Sequence, residues 1–291
     1  MSARDLILER FTTLSPKLQA AARFVVDHPN EVVIGSMRSL AELARVQPAT
    51  LVRLAQHLGF SGWPELKSAM AEDLGLHTEG YGQRAKSLAV RGQVADLVGE
   101  MFAIQRQNLD VTEAQCGRSL RDAAKLLKRA KAVHVAGFRA SFPIAYSLTY
   151  GYRLFRNSVH LIDGQSGGLE MQLRPIERQD AVVVIGFSPY SRESVAVIEA
   201  AKAAGARIVA LTDSDASPLA LGADVAVLFS AKSPSFFPSV ATAVAVTEAL
   251  LELLVAGGGD GVAQSIDKSE QHLFDSGAYV RHAKTRYPSS S

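Results

Sequence analysis

Two serine-bearing segments in the second half of the chain carry residue types that suit an anionic ligand. Residues 136–141 and 186–191 each combine a glycine and small hydroxyl side chains with the predicted start of a helix. Free N–H groups and the positive end of a helix dipole favour phosphate or carboxylate in such a place. The predicted contacts to an anionic effector are Gly137, Arg139, Ser141, Ser188, Tyr190 and Ser191.

A structural role for these serines is the alternative. Serine directly before a helix is a common N-cap, so each hydroxyl by itself can be explained by capping. The chain contains no G-x-G-x-x-G and no G-K-[ST] sequence, which argues against dinucleotide and nucleoside-triphosphate sites. We predict neither a cofactor nor a metal site.

A second group of polar residues lies on one face of a predicted helix near the N-terminus. Leu51, Leu54, Ala55 and Leu58 repeat with helical spacing, Pro48 suits a first helical position, and the opposite face is polar. The second helix of a helix-turn-helix unit presents its first residues to base edges in DNA. The predicted DNA-facing residues are Gln47, Ala49, Thr50, Arg53, Gln56 and His57.

An ordinary helical hairpin with a hydrated polar face is the alternative for residues 37–58. Arg45 stands in the turn between the two predicted helices, where a positive φ would be easier for glycine or asparagine. Arginine can pair bidentately with guanine and glutamine with adenine. We therefore favour a contact of Gln47, Thr50 and Arg53 with the duplex.

The elements that position these residues differ between the two halves of the chain. Short aliphatic runs alternate with helical runs after residue 131, which predicts buried parallel strands in a doubly wound α/β domain. Ligands bind such sheets beyond the carboxyl ends of the strands, where both serine segments fall. The predicted strands cover residues 132–136, 158–162, 181–185, 207–211 and 225–229.

The first half is predicted to be all-helical. Residues 1–76 form the predicted DNA-binding domain, residues 77–93 a glycine-containing linker, and residues 94–291 the ligand-binding domain. Trp63 is interpreted as a packing anchor of the first domain. Further helices are predicted at 94–109, 115–128, 193–204, 240–254 and 262–274.

Bulk composition limits the possible classes of protein. The chain has 291 residues, 47% hydrophobic residues, a net charge of +2 and one cysteine. Basic and acidic side chains are nearly balanced in residues 1–75, so any DNA-facing field must come from their placement. The single Cys116 excludes a disulfide framework and suits a reducing cytoplasm. We expect no signal segment and no membrane partner.

The motifs of both halves resemble the RpiR/MurR-type bacterial transcription regulators, which join an N-terminal helix-turn-helix to a C-terminal sugar isomerase (SIS) domain. The similarity is carried by residues 39–44, 48–53, 58–67, 185–193, 203–214 and 217–220. The resemblance implies binding of a DNA operator, a phosphosugar or related sugar derivative as effector, and assembly as a homodimer or homotetramer. It places the ligand on the loops with Ser141, Ser188 and Ser191.

This chain departs from the family pattern in both loops. Arg139 and Ala140 stand where a second glycine is common, and Gly186, Pro189 and Tyr190 replace other frequent residues. A carboxylate or a cyclic polyol therefore stays open as the ligand.

Two other functions are also open. A phosphosugar isomerase needs a general base, for which His160, Glu170, Glu193 and Glu248 are candidates. None of the four is tied to a partner by spacing, and Glu193 suits the first turn of a helix. A sugar-binding protein without a DNA role is the third class. The appended helix-turn-helix favours a regulator over an enzyme.

Overall fold

The computed structural model describes residues 2–73, 80–92 and 96–280. The first of these segments is all-helical, as predicted. Its helices are α1 (Ala3–Arg10), α2 (Pro16–Asp27), α3 (Pro29–Ile34), α4 (Met37–Leu43), α5 (Pro48–His57) and α6 (Trp63–Asp73).

A single apolar core holds these helices together. Ile7, Val25, Leu40, Leu51 and Leu66 are fully buried in it. Trp63 is 4% exposed in the same core, which confirms its interpretation as a packing anchor. Helices of so few turns are only marginally stable in isolation, and burial of one face of each helix supplies the missing stability.

The predicted linker and the helices after it differ from the prediction. Part of segment 77–93 forms the helix α7 (Tyr81–Arg91), and the two helices predicted at 94–109 and 115–128 are one helix of 33 residues, α8 (Leu97–Arg129). The sequence between them has no glycine or proline that would end a helix. The short α3 begins at Pro29 directly after α2, since proline is compatible with a first helical position.

The remaining residues form the predicted doubly wound α/β domain. Its parallel five-stranded sheet has the order β2-β1-β3-β4-β5, and β3 is buried along its whole length. All five predicted strands are confirmed to within one residue at each end. The strands are β1 (Val133–Gly137), β2 (Val159–Ile162), β3 (Ala181–Gly186), β4 (Arg207–Thr212) and β5 (Val225–Leu228).

Helices cover both faces of the sheet. Val183 and Ile185 of β3 pack on the side of α8, α9 (Phe142–Arg153) and α13 (Ala241–Ala256), whereas Val182 and Val184 face the opposite side. That opposite side is covered by α10 (Leu169–Leu173), α11 (Arg192–Ala204) and α12 (Pro218–Gly222). Helix α14 (Asp260–Asp275) follows and has no buried residue.

Helix α13 has a role that its apolar sequence did not reveal. Val246, Leu250 and Leu254 are buried against α8 and α9 of the same chain, whereas Val244, Leu251 and Leu253 are partly buried. Its apolar residues therefore build the intramolecular core.

No single helix of the described segments is long and apolar enough to cross a membrane, whereas α13 and α14 taken together pass on length and composition but are bent by 118° at the break between them.

Candidate functional site

The turn before α5 is closed by backbone hydrogen bonds. The Val46 N–H donates to Ala41 O over 2.9 Å, and the Arg45 N–H donates to Glu42 O over 3.0 Å. This is the Schellman pattern, which requires a left-handed residue between the last helical turn and the following chain. Arg45 occupies that position with φ 54°, at a cost of about 1–2 kcal/mol relative to glycine.

Helix α5 has one buried and one polar face. Leu51, Leu54 and Ala55 are fully buried, and Gln47 occupies the N-cap position before Pro48. All six predicted DNA-facing residues lie away from the core: Gln47, Ala49, Arg53, Gln56 and His57 are exposed and Thr50 is half-buried. The fold therefore leaves this face free for a duplex, as the helix-turn-helix interpretation requires.

The predicted effector loops meet at one crevice. Strands β1 and β3 are neighbours, and Gly137 pairs in register with Ile185. The helices that follow them, α9 and α11, pack on opposite faces of the sheet. The two loops therefore diverge at a topological switch point, the place where doubly wound sheets bind ligands. We call this place the crevice.

The loop after β1 is tightly constrained. A Cβ at Gly137 would lie 2.7 Å from both Ser141 O and Ala145 Cβ, so only glycine fits there. Ser141 is 5% exposed, and its side chain makes no capping hydrogen bond to α9. The hydroxyl of Ser141 is therefore not used as an N-cap, and the capping alternative does not explain it.

Arg139 and Glu193 connect the two sides of the crevice. The Nη2 atom of Arg139 lies 2.9 Å from Oε1 of Glu193, with 74% of the arginine side chain and 33% of the glutamate side chain exposed. Arg139 has φ 53°, again a left-handed conformation that costs an arginine about 1–3 kcal/mol. The second carboxylate oxygen of Glu193, Oε2, is buried and accepts no hydrogen bond from the described residues.

The loop after β3 is held mainly by Asp213, which immediately follows β4. The Ser188 N–H donates to Oδ2 of Asp213 over 3.1 Å, and the Tyr190 hydroxyl donates to Oδ1 over 2.7 Å. Burial, followed by the charge of Asp213 and its hydrogen bond, raises the pKa of Tyr190 far above its usual value, so the phenol stays a donor. Asp213 thus braces the loop.

Ser191 has the structural role that was the alternative. Its Oγ accepts the Ser194 N–H over 3.1 Å and caps α11. The hydroxyls of Ser141 and Ser188 cap no described helix.

Sequence reasoning missed Asp213 as a site residue and considered Glu193 only as a base or as a residue that stabilises the first turn of a helix. Both follow from position: Asp213 directly follows the next strand at the same edge of the sheet, and Glu193 lies in the first turn of α11. Their specific partners depend on how the loops fold back.

None of the other candidate bases bonds to Glu193 among the described residues. Glu170 belongs to α10, and Glu248 belongs to α13 and is exposed. His160 pairs in register with His134 near the amino end of the sheet, opposite the crevice.

A separate polar cluster occupies that amino end. His134 of β1 is 5% exposed, and its Nε2 lies 3.2 Å from Oδ2 of Asp180. Burial, the charge of His134 and that of Arg153 lower the pKa of His160, against the opposing effect of Asp180. Within the described segments, no three His, Cys, Asp or Glu side chains are placed to hold a metal ion.

Comparisons with known proteins match both halves. Residues 3–76 match the helix-turn-helix domain of the rpiR family, and residues 126–255 match the SIS domain.

Relatives of the chain carry regulator names. An uncharacterized HTH-type transcriptional regulator of Caldanaerobacter subterraneus is 25% identical over 79% of this chain and 81% of its own. The HTH-type transcriptional regulator HexR of Pseudomonas aeruginosa is 26% identical over 74% of each chain.

Among solved structures, NanR of Vibrio vulnificus in complex with ManNAc-6P is 19% identical. It matches 92% of this chain and 98% of its own with a TM-score of 0.59. At that identity the match supports the fold.

Proposed function

We propose that this chain, which belongs to the rpiR family of helix-turn-helix regulators and carries a SIS domain, binds a DNA operator and adjusts that binding to a sugar derivative. The observation that carries the proposal is the polar face of α5, which stands exposed in a chain whose other half holds two ligand loops at a switch point. A phosphosugar isomerase does not require a DNA-facing helix, so this face favours the regulator.

The DNA contacts are assigned to the start of α5. Gln47, Thr50 and Arg53 are the proposed contacts to base edges in the major groove, and the remaining proposed members of this face are Ala49, Gln56 and His57. Two copies of the chain, as a homodimer or within a homotetramer, would present two such helices to half-sites about one duplex turn apart.

The effector contacts are assigned to the crevice. Ser141, Ser188 and Arg139 are the proposed direct contacts, Gly137 provides the tight turn, and Tyr190 and Ser191 hold the loop in place. That NanR binds ManNAc-6P supports a phosphosugar or related sugar derivative as the ligand class. Glu193 has no histidine or second carboxylate bonded to it among the described residues, which favours binding over isomerisation.

A chain of aromatic contacts links the crevice to α7. The Phe187 ring, one residue before Ser188, lies 6.4 Å from the Phe237 ring. The Phe237 ring in turn lies 5.1 Å from the Tyr81 ring of α7.

Hydrogen bonds also fix α7 to the segment between β5 and α13, which carries Phe237. Arg84 donates to Ser233 O over 3.1 Å and Arg91 donates to Pro234 O over 2.9 Å. We infer that effector binding moves the loop after β3 and thereby changes the position of α7. The shift of α7 would in turn change the arrangement of the DNA-binding helices. In this arrangement residues 1–76 form the DNA-binding domain, residues 77–93 form the connection that contains α7, and residues 94–291 form the effector-binding domain.

A DNA-binding assay of the full chain tests the proposal. Fluorescence anisotropy with the promoter of its own gene, at low and moderate salt, should give saturable binding whose affinity changes when a sugar derivative is added. We place the protein in the cytoplasm, where both ligands are found. Absence of binding at low salt, with and without sugar derivatives, would contradict the regulator function.

A further inference from the structure

A cavity of about 430 Å³ lies between helices α9 and α14, beside the edge strand β2 of the sheet. None of the described residues that line it belongs to the two loops of the crevice. We propose that this cavity is a second small-molecule site, which binds a planar ring that carries an acidic group. Its volume falls within the range of ordinary ligand sites in proteins.

Two tyrosines of α9 form one wall of the cavity. Tyr146 and Tyr150 are one helical turn apart and line it together. They are 54% and 45% exposed, although aromatic side chains in folded proteins usually bury large areas. The hydroxyl of Tyr150 lies 2.8 Å from that of Tyr279, and this hydrogen bond holds the Tyr150 ring in place. The wall therefore offers aromatic surface to a flat ligand.

Three basic side chains also line the cavity. Arg153 follows the tyrosines on α9, and Lys268 and His272 are one turn apart on α14. None of the three forms a salt bridge with a described residue, and no Asp or Glu of the described segments lines the cavity. The Nε of Arg153 donates to Val159 O over 2.8 Å, which fixes the side chain and leaves its terminal nitrogens for a ligand. The positive charge of the cavity is therefore uncompensated and suits an anion.

Helix α14 has few contacts of its own at this place. It has no buried residue, and the Oγ of Ser269 joins it to the end of α9 by donating to Leu154 O over 2.7 Å. Leu154, Leu161 and Leu273 add apolar surface to the lining. A ligand between the two helices would bury part of this surface and thereby stabilise α14.

The lining distinguishes between kinds of ligand. A simple inorganic anion would use the basic side chains and leave the aromatic wall without a partner, and a neutral ring would leave the charges unpaired. Residues 281–291 include Arg281, Lys284 and Arg286 and no acidic side chain, so their charge has the same sign as that of the cavity. A ring with a carboxylate or a phosphate group matches both the tyrosines and the basic side chains.

Titration calorimetry of the full chain provides the first test. AMP and 4-hydroxybenzoate are the acidic rings, adenosine and phenol are their neutral counterparts, and inorganic phosphate is the anion without a ring. We expect at least one acidic ring to bind about tenfold more tightly than its neutral counterpart and than phosphate. A response to AMP alone indicates a nucleotide, and a response to 4-hydroxybenzoate alone indicates an aromatic carboxylate. Binding of neither acidic ring, or equal binding with and without the acidic group, would overturn the inference.

Variants of the two kinds of lining residue provide the second test. Tyr146→Ala should weaken binding of the acidic ring about 2- to 10-fold, as expected for loss of one aromatic contact. Lys268→Gln should weaken it about 3- to 10-fold, because one charged partner is lost. Both side chains are exposed, so the melting temperature without ligand should stay at the wild-type value.

Phe102→Ala and Lys125→Gln are the matched controls. Phe102 is 58% exposed, Lys125 is an exposed lysine of α8, and neither lines the cavity. Both controls should keep the wild-type affinity for the acidic ring. Wild-type affinity of Tyr146→Ala and Lys268→Gln would show that the ring binds elsewhere, and an equal loss in the controls would show unspecific binding. Either result would refute the site. Calorimetry needs no DNA, so a failure of the regulator function would leave this test unaffected.

Discussion

Arg45 and Arg139 have nearly the same backbone conformation in two different domains. Their φ angles are 54° and 53°, and no other non-glycine residue of the described segments has a positive φ. Two backbone hydrogen bonds close the turn around each residue: Val46 N–H to Ala41 O and Arg45 N–H to Glu42 O in one, and Ser141 N–H to Phe138 O and Phe142 N–H to Arg139 O in the other. The exposed side chain of Arg45 bonds none of the described residues. Around Arg139 the side chain itself bridges two loops through Glu193.

The two turns are closed alike by backbone hydrogen bonds, so the difference between them lies in the side chains. In the helix-turn-helix the closure of the turn fixes the conformation, and the residue type matters little as long as the backbone bonds form. At the crevice the loop could take glycine, and the arginine is explained by what its guanidinium binds. Backbone strain therefore points to a side-chain role only where the side chain of the strained residue has a partner of its own.

The largest expected effect is on the free energy of unfolding and compares a glycine at the crevice with one that follows α5. Gly137→Ala should lower the free energy of unfolding by about 3 kcal/mol, since a backbone carbonyl and a helix residue occupy the space of the new methyl group. Gly59→Ala should cost about 1–2 kcal/mol, because its φ of 94° is unfavourable for alanine although no atom lies within 4 Å of the added Cβ.

Urea unfolding followed by two signals measures both variants. Fluorescence of Trp63, the one tryptophan of the chain, reports on the helical core of α1–α6, and circular dichroism reports on the whole chain. Gly59→Ala should move the Trp63 transition, and Gly137→Ala should move only the circular-dichroism transition. A Trp63 transition that moved equally with both variants would mean that the two regions unfold as one unit.

Arg53→Ala sharpens the functional side of the comparison. Loss of a base contact from the exposed face of α5 should weaken operator binding by about 1–3 kcal/mol, with no change in effector affinity. Lys17→Ala, which removes an exposed charge from α2, is the control and should leave specific binding within about twofold of the wild type. If both variants weakened binding equally and for every DNA sequence, the polar face of α5 would not read bases.

The extent to which sequence predicted each region follows from the range of the interactions involved. The five strands and the α5 stripe were predicted because their aliphatic runs and helical spacing are local patterns. The turn at Arg45 was correctly identified as unusual, since a positive φ is a local property.

The errors arose where distant residues decide the structure. Helix α8 continues through 109–115 where Asn108 donates to Lys232 O and Thr112 accepts the Ser230 N–H, contacts more than a hundred residues apart in sequence. The burial of α13 and the partners of Asp213 likewise depend on tertiary packing. Strand order at the switch point was enough to place the two loops together, but their hydrogen bonds were not predictable from spacing.

The smallest expected effect concerns pH and distinguishes the amino end of the sheet from the helical domain. Burial raises the pKa of Asp180, but hydrogen bonds from the Glu177 and Ala132 N–H groups and from His134, with the charge of His134, outweigh it and lower the pKa. Burial lowers the pKa of His160. For both groups the folded state binds protons less readily than the unfolded chain does, so their stabilisation is complete above their ordinary pKa values and is lost as pH falls.

Melting curves between pH 7 and pH 3 measure this effect. The melting temperature followed by circular dichroism should fall in two steps as the pH is lowered. The first step, below about pH 6.5, comes from His160, and the second, below about pH 4, comes from Asp180. His160→Gln should remove the first step, whereas His272→Gln, an exposed change on α14, should leave it unchanged. A Trp63 transition that showed the same first step would assign it to the helical domain, because neither His160 nor Asp180 belongs to the core of Trp63.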